Sequence, residues 1–83
     1  MFADKVKEVV RKIPKGQTMS YGEVAAFAGS LGAARAVGNI MHNNYDLTVP
    51  CHRVIHADGT PGCYNRGGAE AKLKLLRKEG VKI

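Results

Sequence analysis

The sequence predicts a mainly α-helical domain with a small β hairpin, a winged-helix-like form of the helix-turn-helix. Three observations predict it. The first residues carry apolar side chains at helical spacing. A capping box then opens a pair of short helices separated by a glycine turn. Beyond a loop, a β-branched run is followed by Asp-Gly, a turn signal between candidate strands.

Each element follows in order. Phe2, Val6, Val9, Val10 and Ile13 recur at helical spacing with charges between them, which makes an amphipathic first helix that Pro14-Lys15-Gly16 ends. Ser20 and Glu23 have the S-x-x-E spacing of a capping box, so a second helix runs from about Tyr21 to Ala28, stopped by Gly29. A third helix is expected from about Leu31 to His42. The tight turn between these two reads as helix-turn-helix, with Arg35 on the recognition helix; a plain helical hairpin is the alternative. After a loop from Asn43 to Pro50, Arg53-Val54-Ile55-His56 reads as a strand. Asp58-Gly59 is the turn and Cys63-Tyr64 the returning strand. Asn65 to Gly68 is a loop. A last helix runs from about Ala69 to Lys78, with Leu73 and Leu76 inward, and Gly80 closes it.

The 83 residues suffice for one small domain, spanning 1–83. At 45% hydrophobic and 24% charged residues, a modest core is available and disorder is not indicated. The net charge of +6 fits a polyanionic partner, nucleic acid first, although charge alone could serve only solubility. Residues 1–13 lack the apolar centre of a signal peptide, and no apolar run approaches the roughly 20 residues that span a bilayer. The expectation is an intracellular protein, cytoplasmic or, in a eukaryote, nuclear, without membrane contact and with reduced cysteines.

Pro50-Cys51-His52-Arg53-Val54 is the densest chemical segment. A cysteine attacks as its thiolate, and a neighbouring His or Arg favours that form. Three bland readings compete: an inert core cysteine, a disulfide with Cys63, or zinc held by Cys51, His52, His56 and Cys63, whose spacing matches no C-x-x-C pattern.

The same segment resembles the active-site signature of the O6-alkylguanine-DNA alkyltransferases, the methylated-DNA–protein-cysteine methyltransferases. Ser20-Tyr21-Gly22-Glu23, Ala34-Arg35-Ala36-Val37-Gly38, Asn43-Asn44, Tyr64 with Gly67-Gly68, and Lys72 through Gly80 carry the resemblance further, in the family's order, from about residue 2 to residue 81.

The resemblance implies a single displacement in which Cys51 attacks the carbon on O6 of guanine and keeps the alkyl group, so that each molecule acts once. His52 resembles the histidine that deprotonates the cysteine through water, and Glu79 the carboxylate that holds it. Tyr21 matches the tyrosine beside the extruded base and the adjoining phosphate. Asn44 matches the asparagine bridging recognition helix and active-site loop, with Asn43 one residue away. Met41, Val54, Tyr64 and Asn65 match the pocket. Arg35 resembles the arginine that fills the space left by the flipped nucleotide, and Ala34 and Gly38 lie on the same DNA-facing helix. The implied partner is double-stranded DNA containing O6-alkylguanine, bound by a monomer without cofactor or metal.

Departures are also expected. The family's N-terminal α/β domain has no counterpart here. The loop between Arg35 and Cys51 is one residue short and has Tyr45 where Pro is common; Asn65-Arg66 makes the loop after Tyr64 one residue long. Alkyltransferase-like proteins also lack the N-terminal domain, bind alkylated DNA without transfer to recruit other repair factors, and usually have Trp at the nucleophile position, where this chain has Cys51. A helix-turn-helix DNA binder with no role in damage is the third reading.

Overall fold

The structure is a computed structural model describing residues 2–46, 48–62, 64–65 and 67–82. Four helices surround a two-stranded sheet, as the mainly helical reading expects. Helix α1, Phe2–Arg11, turns Val6 and Val10 fully inward, one turn apart on one face, and Ile13 continues that face beyond the helix end.

Strand β1, Met19–Ser20, runs directly into helix α2, Tyr21–Phe27. Ser20 makes the junction. Its backbone is extended, its Oγ accepts the Glu23 N–H at 3.0 Å, and Glu23 Oε1 accepts the Ser20 N–H at 2.9 Å. The predicted capping box is therefore complete and sets Tyr21 as the first helical residue. At the other end Ser30 N–H reaches Ala25 O and Gly29 N–H reaches Ala26 O, the paired bonds of a Schellman motif.

Helix α3, Ala34–His42, begins three residues later than the sequence reading placed it. Ala33 N–H bonds back to Ser30 O, and Gly32 has φ +84°, so 30–33 is a turn and Leu31 stands exposed. Helices α2 and α3 pack together as the helix-turn-helix pair.

The strand pairing also differs from expectation. Strand β2 is only Val54–Ile55 and pairs in parallel with β1, Met19 opposite Val54 and Ser20 opposite Ile55. The Asp-Gly turn does form, with Gly59 N–H bonded to His56 O and His56 N–H to Thr60 O. The chain does not return as a strand at Tyr64, and Cys63 lies outside the described residues. The edge that Cys63-Tyr64 was expected to cover is taken by β1.

Helix α4, Gly68–Lys78, packs on the 3₁₀ turn Cys51–Arg53. Its inward residues are Leu76 and, unexpectedly, Lys72, with Leu73 half-buried. A second Schellman motif, Val81 N–H to Leu76 O and Gly80 N–H to Arg77 O, ends it at Glu79. The core gathers Val6, Val10, Ile13, Val24, Val37, Met41, Val49 and Val54 with Cys51 among them. Among the described residues no helix is long and apolar enough to cross a membrane.

Candidate active site

The approach to Cys51 is a tight backbone device. Pro50 has φ −77° and ψ 68°, and Cys51 N–H bonds to Val49 O at 2.8 Å. These are the marks of an inverse γ-turn, for which the fixed φ of proline is preformed. The 3₁₀ turn follows at once, Arg53 N–H bonding to Pro50 O at 2.9 Å. Two successive reversals hold Cys51 against the core, with 3% of its surface exposed.

Cys51 lies on the wall of a cavity of about 400 Å³, shared with Tyr21, Ala34, Arg35, Gly38, Met41, Tyr64 and Asn65. That volume falls within the roughly 300–1,000 Å³ of small-ligand sites. The cavity thus collects residues from α2, α3, the Cys51 turn and the loop before α4. Val54, expected in the pocket, is fully buried in the core behind it and is not on the cavity wall. As a rung of β2 its side chain packs inward.

His52 faces the other side of the turn, into a second cavity with Arg11, Arg53 and Tyr64. Its Nε2 lies 3.0 Å from Glu79 Oε2. Arg53 grips the same carboxylate with both faces of its fork, Nε to Oε1 at 2.9 Å and Nη2 to Oε2 at 2.7 Å. Its Nη1 donates to Ile13 O at 2.9 Å. The Arg53 guanidinium, with His52 adding to it, holds the Glu79 carboxyl down at about 2. An ionised Glu79 can only accept, so Nε2 of His52 carries the proton and Nδ1 is left as its basic nitrogen.

Lys72 enters from α4, 1% exposed, and its Nζ donates to Tyr21 Oη at 3.3 Å. Asn44 is buried. Its Nδ2 reaches Asp46 O and Val49 O, and its Oδ1 accepts from Asp46 N–H, so it closes the loop that precedes Pro50. Asn65 Nδ2 bonds to the carbonyls of His42 and Asn44, at 2.6 and 2.8 Å, and ties that loop to the end of α3. Asn43, the neighbour, bonds back to Asn39 O on the surface, while the Asn44 side chain bonds only within the loop.

The sequence reading gave Lys72 no site role, His56 only a place in the zinc alternative, and Arg53 only that of a cation beside Cys51. Arg53 had a signal, its place inside the Pro50–Val54 segment. Lys72 had none of its own, because a lysine between Ala71 and Leu73 on an amphipathic helix reads as solvated. Among the described residues no group of three His, Cys, Asp or Glu could hold a metal ion. Cys63, needed by both the disulfide and the zinc alternatives, lies outside the described residues.

Residues 1–81 match the family described as the DNA binding domain of 6-O-methylguanine DNA methyltransferase. The chain belongs to this family. A methylated-DNA–protein-cysteine methyltransferase of Methanothermobacter thermautotrophicus is 48% identical over 83 residues, 99% of this chain and 46% of that protein. The mouse protein of the same name is 43% identical over 75 residues, 36% of its length. The chain therefore spans less than half the length of these curated relatives. The crystal structure of Mycobacterium tuberculosis OGT in complex with DNA superposes with a TM-score of 0.89 at 45% identity, covering 95% of this chain and 48% of that one. S. pombe Atl1 in complex with damaged DNA containing O6-carboxymethylguanine gives a TM-score of 0.87 at 36% identity, covering 99% of this chain and 78% of that one. The methyltransferase DNA-binding domain thus has solved neighbours of two lengths, both seen on DNA.

Proposed function

We propose that this domain repairs DNA by moving an alkyl group from O6 of guanine to Cys51. The carrying observation is the placement of Cys51 on the wall of a base-sized cavity while the adjoining His52 is clamped by an ionised Glu79. His52 Nδ1 takes the thiol proton, with water as the link. The thiolate forms the S–C bond as the C–O6 bond breaks, and the electron pair stays with the purine. Tyr21 Oη protonates the departing base, and Lys72 Nζ donates to the same oxygen. Because the target carbon lies inside the duplex, the nucleotide is extruded, at a few kcal/mol of lost stacking and pairing. Arg35, exposed on α3 at the cavity rim, fills the gap. The domain, residues 1–83, acts on duplex DNA as a monomer, in the cytoplasm or nucleus.

A second reading has one observation in its favour: the fold also superposes on S. pombe Atl1 bound to damaged DNA, with a TM-score of 0.87 at 36% identity. On that reading the domain binds the lesion and recruits other factors without transfer. Intact mass after incubation with duplex DNA holding one O6-methylguanine separates the two. A gain of one methylene mapped to Cys51, lost in Cys51→Ala while binding persists, is the expected result. Selective binding with unchanged mass would replace transfer by recognition.

A further inference from the structure

A histidine outside the proposed mechanism, His56, also faces the cavity of Cys51. His56 follows β2 directly, as Tyr21 follows β1. The parallel register pairs Ser20 with Ile55, so the next rung sets Tyr21 opposite His56. Their ring centroids are 5.0 Å apart, tilted by 56°. Gly62 lies against both: a Cβ placed there would stand 2.9 Å from His56 Nε2 and 3.1 Å from Tyr21 Oη. Gly62 has φ +74°, a conformation that also favours glycine. The bare α-carbon thus leaves open a space that both the imidazole nitrogen and the phenol oxygen border.

The groups around this pair are defined. Lys72 Nζ approaches Tyr21 Oη from α4 at 3.3 Å. Asp58, on the turn after His56, is the acidic group that feels its charge, and Thr60 holds that carboxyl below its usual range. Arg35 and His42 from α3, and Cys51, face the same cavity.

We propose that His56 is a positioning residue that passes a proton to Tyr21 as Tyr21 protonates the leaving purine. The inference rests on the alkyl-transfer reading. The thiolate sulfur gains the carbon, the C–O6 pair passes to the purine, and the purine takes the Tyr21 proton. Tyr21 Oη takes the Nε2 proton of the His56 imidazolium, which ends as neutral imidazole. No charge is stranded on the phenol. A phenol is a poor acid at neutral pH, and an imidazolium beside it can replace the proton that it gives up.

The test is the single-turnover rate of mass gain on O6-methylguanine duplex from pH 5.5 to 9, for the full chain, His56→Gln, Tyr21→Phe and the double variant. His56→Gln should slow transfer about tenfold at the acid end and converge with the unaltered protein above about pH 8. In the Tyr21→Phe background it should have no further effect. A loss equal at every pH, additive losses in the double variant, or a loss fully explained by weaker DNA binding would overturn the proposal. Absence of any mass gain in the unaltered protein would instead overturn the alkyl-transfer reading beneath it.

Discussion

Glu79 accepts from three nitrogens of two side chains, and those contacts separate its charge from its position. Its carboxyl is held at about 2 against an ordinary 4.5, chiefly by Arg53. A lowered carboxylate value means that its contribution to stability is complete above about 4.5 and is lost as pH falls towards 2. Acid unfolding followed by circular dichroism should therefore shift to higher pH in Glu79→Gln. The same variant should lose about 2 kcal/mol at neutral pH, the scale of hydrogen bonds to a charged group. It should slow methyl transfer by about a hundredfold, since His52 loses the partner that fixes its tautomer. Unchanged transfer with lowered stability would reduce Glu79 to a structural clamp. Arg53→Lys is no substitute for Arg53, because a point charge cannot bridge both carboxylate oxygens and Ile13 O together.

Among the elements, α2 carries the clearest local design. Ser20→Ala removes the oxygen that caps Glu23 N–H and should cost about 1 kcal/mol. In a domain of this size that lowers the thermal midpoint by roughly 4–8 °C, measurable by calorimetry. This element was legible in the sequence because serine, glutamate and glycine announce both of its ends within ten residues. The sheet was not. The Asp58-Gly59 turn is real, yet a turn does not name its strand's partner, and β2 pairs with residues 35 positions earlier. Two-residue strands leave no alternation to read. The same distance in sequence hid the Arg53–Glu79 clamp and the inward Lys72, whose phenol partner lies 51 residues away. The residues alone made Cys51 a candidate, but the roles proposed for Cys51, His52 and Glu79 rest on motif resemblance, since neighbouring residues on one turn face different cavities.

At the scale of the whole molecule, thirteen basic against seven acidic residues fit the proposed binding of a phosphate backbone. Affinity for undamaged duplex should fall linearly with salt on logarithmic axes. Arg35→Ala should reduce that slope by about 1 if Arg35 meets a phosphate. If it fills the gap left by an extruded base, lesion affinity should fall while the slope stays constant. Fluorescence anisotropy across a salt series distinguishes the two.

The Arg53 clamp also orders events in time. It joins the carbonyl of Ile13, the turn at Cys51 and the end of α4 at Glu79. During synthesis Cys51 leaves the ribosome before Glu79, so the thiol is outside before the carboxylate that would orient His52 can reach it. If Cys51 is the single-use nucleophile proposed above, the nascent chain stays unarmed until the end of α4 has closed on the Cys51 turn.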